Sequence, residues 1–454
     1  MSGSSTASPE ESRTYGSAPG RWSGYMRELF ASRRPPPLGS VDPDKIEAAA
    51  REKLKDSPGS FAFVFGNAGS GETFRNNRAA FSKWQIVPRM LRDVTHRTIE
   101  TTLFGVTHPS PLIVAPIGCQ GILHADGELA TARAAGGLGI PMILSGAATK
   151  SIEAVAKANG SGHRWYQLYW PLNDDITLSI LSRAKQHNYS ALVVTVDTMA
   201  IGWRPYDIDA AFIPFAHSVG IQVALSDPAF MKAQGLEVDS NDDVVQFPYD
   251  PAKFDELYVN GDEKTRRGVK LAAAWGQQAV NGVFRTWTHV EFLRQNWEGP
   301  LIIKGIVSVE DAELAIDNGI DGIIVSNHGG RQVDGAISTL LALERIMASP
   351  KVKAAQASGK FTILFDSGIR SGADIFRAIA LGAQGVLQGT RAFAEGIFAV
   401  GRTYAYALTV AGQAGVEAHI KSILADFELT LGLSGYRSIA EIQGKAGVAT
   451  IKVE

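Results

Sequence analysis

Three side chains that could do chemistry lie in or just after two short apolar segments within residues 300–334. Lys304 lies near the end of PLIIKGI, and GIIVSN leads into His328, two glycines and Arg331. Apolar runs of this length favour strands buried on both faces of a parallel sheet, and VEDAELAIDNG between them favours a helix that ends at Gly319. Successive strands of an α/β barrel end at one mouth, where such folds place reactive groups. We therefore expect Lys304, His328 and Arg331 to converge.

These residue types suit proton transfer on a small anionic substrate. An imidazole beside a carboxylate such as Asp197 has a fixed tautomer and a raised basicity. Arg331 and Arg204 carry planar guanidinium groups that bind a carboxylate through two hydrogen bonds. A surface ion pair is the alternative for Arg204, and a histidine satisfied by backbone is the alternative for His328. Lys304 at a buried strand end requires a nearby anion, because an unpaired buried ammonium is costly.

The segments around these residues predict the fold. Eight apolar segments of strand length alternate with helix-length segments, at 111–116, 141–146, 165–170, 191–197, 300–306, 322–327, 361–368 and 385–390. This alternation predicts an α/β protein with a (β/α)8 TIM barrel, and a doubly wound open sheet is the alternative. The gap between the fourth and fifth strands is too long for an ordinary connection. It predicts an insertion at about 213–285 that lies over the barrel mouth as a lid.

Composition excludes several classes of protein. The 454-residue chain has a net charge of −2, which argues against a partner such as nucleic acid. The single cysteine, Cys119, excludes a disulfide framework and a cysteine-ligated metal, and we expect no metal site. No apolar run reaches the roughly 18 residues of a membrane span, and no signal peptide is recognisable, so we expect a cytoplasmic protein. Residues 1–20 are expected to form a disordered tail, 21–110 a helical lead-in packed on the barrel, and 111–454 the barrel itself.

Polar residues stand at the end of nearly every predicted strand, which core packing alone does not require. They are Ser145, Gln167, Tyr169, Thr195, Asp197, Lys304, Ser326, His328, Asp366, Arg370, Gly389, Thr390 and Arg391. Loops after the seventh and eighth strands of a barrel commonly hold a phosphate. Here they read DSGIRSG and GTR, in which glycines admit backbone N–H groups and Arg370 adds two donors. We expect a phosphate there; two glycine turns beside a surface arginine are the alternative.

The chain resembles the FMN-dependent 2-hydroxy-acid oxidase and dehydrogenase family at these residues. SNHGGRQVDG is the most specific shared motif, and the similarity covers about 61–442, including VPRMLRDV, TVDT, KGI and DFELTLGLSGYRSIAEI. Within the family, QLYWP, APIGCQGILHADGE, GWRPYDID and SDPAF are most similar to lactate 2-monooxygenase and its fungal relatives.

The resemblance implies a role for each candidate residue. His328 would be the active-site base, paired with Asp197. The substrate would be bound by Phe63, Tyr169, Arg204, His328 and Arg331, with the two arginines on its carboxylate and Tyr169 on its hydroxyl. Lys304 would face the N1/O2 edge of the flavin. The implied FMN-binding residues are Ala115, Pro116, Ile117, Ser145, Gln167, Thr195, Lys304, Ser326, Asp366, Gly368, Arg370, Gly389, Thr390 and Arg391.

The activity implied is FMN-dependent oxidation of a lactate-like L-2-hydroxy acid with O2 as electron acceptor. Oxidative decarboxylation of the lactate 2-monooxygenase type is the expected outcome, in a homo-oligomer of four or more chains. The alternatives are a simple oxidase that acts on a bulkier substrate and releases the 2-oxo acid and H2O2, a flavin-binding protein with low activity because of Phe63, and a flavin-independent phosphate-binding barrel.

Three departures from the family pattern bear on the substrate. Phe63 replaces a tyrosine that binds the carboxylate, and loss of one hydrogen bond to a charged group costs about 1.5–3 kcal/mol, or roughly tenfold to a hundredfold in affinity. Ala147 stands where glycolate oxidase has a tryptophan, which enlarges the pocket. Thr390 replaces an arginine, with Arg391 beside it. A substrate bulkier than lactate is consistent with the first two changes.

Overall fold

Eight parallel strands close into a barrel in chain order, in a computed structural model that describes residues 20–238, 245–388 and 403–453. The strands are β1 (Leu112–Val114), β2 (Met142–Leu144), β3 (Arg164–Leu168), β4 (Leu192–Thr195), β5 (Leu301–Ile306), β6 (Gly322–Val325), β7 (Thr362–Phe365) and β8 (Gly385–Gln388). Closure is direct, because Gln388 of β8 pairs with Val114 of β1. The (β/α)8 prediction is therefore confirmed and the open sheet is excluded. The predicted tail lies, apart from Gly20, outside the described residues.

Helices surround the barrel and fill the long connection after β4. Those before β1 are α1 (Gly24–Ser32), α2 (Pro43–Lys53), α3 (Pro58–Phe65) and α4 (Glu72–Ser82). Those between β1 and β4 are α5 (Glu128–Leu138), α6 (Ile152–Asn159) and α7 (Asp174–Gln186). The connection from β4 to β5 contains α8 (Pro205–Asp209), α9 (Gln222–Leu225), α10 (Pro228–Ala233), α11 (Pro251–Val259), α12 (Glu263–Ala279) and α13 (Val290–Asn296). The remaining helices are α14 (Val309–Asp317), α15 (Thr339–Ile346), α16 (Pro350–Ala357), α17 (Gly372–Ala380), α18 (Thr403–Leu433) and α19 (Ile439–Ile442). None of the helices in the described ranges is long and apolar enough to cross a membrane.

The barrel interior is packed with apolar side chains, so its axis is not a channel. The inward-facing residues form one buried cluster: Leu103, Ile113, Ile143, Trp165, Ala191, Val193, Ile302, Ile324, Leu364 and Leu387. A hairpin of strands Thr101–Leu103 and Val106–His108 contributes Leu103 to this cluster and packs Phe104 edge-to-face against Trp165, with ring centroids 5.6 Å apart. Polar groups can therefore gather only at the other end, where the strands terminate.

The segment before the barrel also reaches this end. Helix α3 reads PGSFAFVF and buries Phe61, Phe63 and Phe65. Their i, i+2, i+4 spacing places Phe63 on the side of the helix opposite the other two, so the helix is packed on both sides. Its C-terminal Gly66 and the following Ala68 contact the loop after β6, where Ala68 N donates to Gly330 O at 2.9 Å. The lead-in is thus one wall of the barrel mouth.

Arg183 ties the β4–β5 connection to the barrel. This α7 residue is only 8% exposed, and its guanidinium donates to both carboxylate oxygens of Glu153, to Val223 O and to Asp227 Oδ2. Asp227 is fully buried and also caps α10 through Phe230 N. Removing one member of such a buried pair leaves an uncompensated charge.

Arg183→Ala is expected to lower the free energy of unfolding by about 3–5 kcal/mol, because Asp227 loses its cationic partner in a buried position. Urea denaturation followed by tryptophan fluorescence measures this loss. Lys185→Ala is the matched control: it lies on the same helix and also reaches the β4–β5 connection, but its pair with Glu298 is exposed. That variant should lose less than about 1 kcal/mol, and equal losses in the two variants would contradict the assigned role of Arg183.

Candidate active site

A cavity of about 190 Å³ lies at the C-terminal ends of the strands and brings most of the predicted residues together. The predicted residues that line it are Phe63, Ala115, Pro116, Ile117, Gln167, Tyr169, Thr195, Arg204, Lys304, His328, Arg331 and Asp366. Ser145, Asp197 and Ser326 lie behind this wall and bond to its members. Gly368 and Arg370 are buried in the β7–α17 loop and do not line the described part of the cavity. Gly389, Thr390 and Arg391 lie outside the described residues.

Asp197 is the centre of the charged cluster. Its Oδ1 accepts a hydrogen bond from His328 Nδ1 at 2.7 Å, and its Oδ2 lies 3.6 Å from Lys304 Nζ. Lys304 Nζ lies 3.5 Å from Asp366 Oδ2 and donates to Ser326 Oγ at 2.9 Å. The anion that a buried lysine requires is therefore supplied twice, by residues at the ends of β4 and β7.

Burial and the neighbouring charges set the protonation states of this cluster. Burial lowers the pKa of His328 below its ordinary value, and the carboxylate of Asp197 acts in the opposite direction without reversing the shift. Burial alone would raise the pKa of Asp197, but His328 and Lys304 together hold it well below its usual range. Burial would lower the pKa of Lys304, but Asp197 and Asp366 raise it to about 12. At neutral pH Asp197 is therefore a carboxylate, Lys304 an ammonium and His328 a neutral imidazole.

The backbone is shaped to bring these groups together. His328 has φ +53°, a conformation that residues other than glycine adopt rarely and that here turns its ring toward Asp197. Gly305, next to Lys304, has φ +114°, and a Cβ there would lie 2.7 Å from the Cβ of Asp197. Gly330 has φ +74°, and a Cβ there would lie 2.8 Å from the backbone N of Phe74. The two glycines of KGI and HGGR are thus required by close approach of other segments.

The guanidinium groups of Arg331 and Arg204 line the cavity and are held by different neighbours. Arg331 Nη1 donates to Gly66 O at 2.8 Å, and its guanidinium carbon lies 5.4 Å from the centre of the Phe63 ring. Arg204 is 5% exposed; its Nε donates to Arg331 O and its Nη2 to Gln332 Oε1. Burial, followed by the nearby Arg331, lowers the pKa of Arg204 to about 9. Two buried cations this close favour an anionic ligand.

Sequence reasoning missed the residues that hold these groups in place. Thr198 Oγ1 lies 3.0 Å from His328 Nδ1 and donates to Asp197 Oδ1. Gln332 accepts from Arg204 and donates to Asp197 O and Ala200 O. Both lie within motifs that the sequence analysis quotes, TVDT and SNHGGRQVDG, next to Asp197 and Arg331, and that adjacency was the available signal.

Another part of the cavity lining is polar and uncharged. Gln167 Nε2 donates to Thr195 Oγ1 at 2.9 Å, and its Oε1 accepts from Ser145 Oγ at 3.1 Å and from Gly146 N at 3.0 Å. Together with Lys304 this row offers amide, hydroxyl and ammonium groups along one edge, which fits the polar edge of the FMN ring. Within the described ranges, no group of three or more His, Cys, Asp or Glu side chains is arranged to hold a metal ion.

The wall formed by the β4–β5 connection is apolar, and no candidate residue was assigned to it from the sequence. Its lining residues are Ile201, Phe215, Ile221, Ala272, Trp275, Ala279 and Val280. Ala272, Trp275 and Ala279 lie on one face of α12, at the i, i+3, i+7 spacing of an amphipathic helix. That spacing predicts a buried face from the sequence, but it does not predict whether the face packs on the core or lines a cavity.

Asp197→Asn should lower the pKa of His328 further below its ordinary value, because burial and Lys304 remain while the carboxylate that opposes them is removed. Titration of the histidine signals by NMR measures this shift. Thr198→Ala, which keeps the carboxylate and removes only the hydroxyl contact to Nδ1, is the control and should shift the pKa much less. An unchanged or raised pKa in the Asn variant would show that the Asp197 charge does not act on the ring.

Comparison with known proteins assigns the chain to a family. The family model of FMN-dependent dehydrogenase matches residues 50–448. The chain is 38% identical over 405 residues to the FMN-dependent alpha-hydroxy acid dehydrogenase qulF of Penicillium citrinum, covering 89% of this chain and 90% of that protein. It is also 38% identical to the L-lactate oxidase of Lysinibacillus sphaericus, covering 87% and 89%. The crystal structure of mandelate oxidase with benzoyl-formic acid superposes with a TM-score of 0.69 at 31% identity, over 91% of this chain and 98% of that one. The chain therefore belongs to the family of FMN-dependent 2-hydroxy-acid oxidases and dehydrogenases.

Proposed function

We propose that this enzyme oxidises an L-2-hydroxy acid with an apolar side chain to the 2-oxo acid, with O2 as the electron acceptor. FMN supplies the redox chemistry, taking two electrons from the substrate and passing them on. The observation that carries the proposal is a single cavity in which a His328–Asp197 pair and two guanidinium groups face an apolar wall. Each part matches one part of a 2-hydroxy acid: the α-carbon and hydroxyl, the carboxylate, and the side chain.

His328 is the proposed base. Its Nδ1 is held by Asp197, so Nε2 is the nitrogen that remains to accept a proton from the substrate. The lowered pKa keeps the ring neutral and able to accept at neutral pH. When the ring gains a proton, the adjacent Asp197 carboxylate stabilises the resulting cation.

Arg204 and Arg331 are the proposed carboxylate ligands. Both line the cavity, and the lowered pKa of each reflects burial of a cation that an incoming carboxylate would compensate. Burial raises the pKa of Tyr169, so its hydroxyl stays protonated and can donate to the substrate hydroxyl oxygen. Phe63 offers only the face of a ring to Arg331 and adds no hydrogen bond, so the two arginines must hold the carboxylate without a phenol on that side.

The residues proposed to hold FMN follow from the polar wall. Gln167 and Thr195 would bond its ring edge, Lys304 would stabilise negative charge on the reduced ring, and the backbone of Ala115 would pack beside it. Tyr404 Oη donates to Ala115 O at 2.7 Å, which fixes this part of the β1–α5 loop. Arg370, with Gly368 in the same loop, would approach the phosphate.

The apolar wall supports a substrate larger than lactate. Phe215 packs edge-to-face on Phe63 with ring centroids 5.8 Å apart, and Trp275 lies on the same side of the cavity. Ala147 occupies a lining position where a bulky residue would shorten the pocket. Extra methylene groups in an apolar pocket are each worth about 1–3 kcal/mol of discrimination.

Anaerobic mixing with L-2-hydroxy acids tests this proposal. Full-length enzyme carrying FMN should be bleached by L-2-hydroxyisocaproate or L-mandelate at least about tenfold faster than by L-lactate at equal subsaturating concentration, because the larger side chains fill the apolar pocket. Stopped-flow absorbance of the flavin measures the rates. D-enantiomers should bleach it far more slowly.

Ala147→Trp is the control for pocket size. It should lower the bleaching rate with the bulky acids by at least about tenfold and leave that with L-lactate nearly unchanged. A protein that binds FMN but is not bleached by any L-2-hydroxy acid would instead be a flavin-binding protein with little turnover.

We further propose that the 2-oxo acid is retained and decarboxylated, as in lactate 2-monooxygenase. For lactate the balanced outcome is lactate plus O2 giving acetate, CO2 and water, whereas early release of product gives pyruvate and H2O2. Retention is supported by the cover that α12 provides, since Trp275 is 7% exposed and packs edge-to-face on Phe230 at 5.4 Å.

Trp275→Ala should shift the products toward 2-oxo acid and H2O2, because a shortened side chain opens the cover and speeds product release. Quantifying CO2 and H2O2 per O2 consumed measures the partition. Trp203→Ala is the control: Trp203 is 72% exposed and does not line the cavity, so the partition should stay as in the unmodified enzyme. Stoichiometric H2O2 from the unmodified enzyme would identify a simple oxidase instead.

A further inference from the structure

Gln388 is a buried amide at the end of the last barrel strand. It pairs with Val114 of β1 and is 1% exposed. It also lines the cavity, as do Leu387 and Asp366, and Asp366 directly follows β7, the strand that pairs with β8. A buried glutamine is costly unless both ends of its amide are hydrogen-bonded.

Among the described residues, only one end of this amide has a hydrogen-bond partner. Gln388 Nε2 lies 2.5 Å from Nε2 of His419, a 3% exposed residue of α18. Gln388 Oε1 is buried and has no hydrogen-bond partner among the described residues. Turning the amide over would exchange the two ends and leave the nitrogen unpaired instead. In either orientation one polar atom of the amide has no hydrogen-bond partner among the described residues.

We propose that Gln388 is a cofactor-positioning residue whose unpaired amide atom bonds a hydroxyl of the ribityl chain of FMN. The loops after the last two strands of a barrel commonly hold a phosphate, while Gln167, Thr195 and Lys304 on β3 to β5 match the ring. The ribityl chain joins ring to phosphate, so it must cross the cavity between these groups. A hydroxyl both donates and accepts, and therefore satisfies the amide in either orientation.

His419 holds one end of this amide in place. Burial lowers the pKa of His419 to about 4, so the ring is neutral and its Nε2 can take either role in the contact, depending on the tautomer. The contact holds one end of the amide against α18. The alternative is that Gln388 serves only to attach α18 to the barrel, and this predicts a different result when the amide is removed.

Gln388→Leu, in full-length apoprotein titrated with FMN, separates the two roles. Quenching of FMN fluorescence should show a dissociation constant about threefold to tenfold higher than that of the unmodified chain, as expected for one neutral hydrogen bond. The same loss should appear with riboflavin, which keeps the ribityl chain without the phosphate, and vanish with lumiflavin, which lacks the chain. The urea midpoint of the apoprotein should change little, because the variant removes the unpaired polar atom together with the single hydrogen bond to His419.

Gln384→Leu is the matched control. Gln384 directly precedes the same strand at its other end, where Oε1 accepts from Ile363 N and Gln356 Nε2, far from the cavity lining. This variant should have a lower urea midpoint and an unchanged FMN dissociation constant. Gln388→Met, which keeps the side-chain length, replaces the Leu variant if the latter does not fold. An FMN dissociation constant within twofold of the unmodified chain, equal weakening in the Gln384 variant, or a loss that persists with lumiflavin would overturn the proposal.

Discussion

The site depends on one carboxylate that is shared by two cations. Asp197 contacts the His328 imidazole through Oδ1 and the Lys304 ammonium through Oδ2. With His328 neutral, Asp197, Asp366 and Lys304 sum to a formal charge of −1, so the arrangement becomes neutral when the imidazole gains a proton. Burial opposes that gain in the resting protein, which keeps the base available. The same carboxylate thus stabilises a buried lysine and favours the product of proton transfer.

This arrangement needs close approach of segments that are distant in the sequence. Gly305 allows β5 to pass Asp197, and Gly330 allows the β6 loop to pass α4. Gly66 O, at the end of α3, receives a hydrogen bond from Arg331 across 265 positions of the chain. The lead-in is therefore part of the site, and the barrel alone would leave Arg331 without this support. The positive φ of His328 is held by hydrogen bonds from His328 N to Ser326 Oγ and from Gly329 N to Ser367 Oγ.

The strands and the polar residues at their ends were predictable, because doubly buried parallel strands leave continuous apolar runs and their C-terminal ends converge. The residues that support the reactive groups were not. Gln332 bonds Arg204 across 128 positions, and no local pattern indicates which polar side chain of a loop turns inward. The sequence predicted the lining from α12 only as a helical spacing of apolar residues. This spacing is the same whether Trp275 packs on a core or covers a cavity. Likewise, the sequence does not show that His419 contacts one end of the Gln388 amide and that, among the described residues, Oε1 has no partner; only the folded chain shows this.

The charged part and the apolar part of the cavity come from different segments of the chain. The groups that would carry out the reaction are therefore separate from those that would select the substrate. The charged groups stand on barrel strands and their short loops, where the closed sheet fixes their positions. The apolar wall belongs to the long β4–β5 connection, which is held to the barrel by the Arg183 network and by packing such as that between Phe230 and Trp275. Side chains on α12 can change without moving Asp197 or Lys304, because neither residue contacts that helix through a hydrogen bond or ion pair within the described residues. A family built this way can keep one redox chemistry while the size and shape of the accepted acid vary.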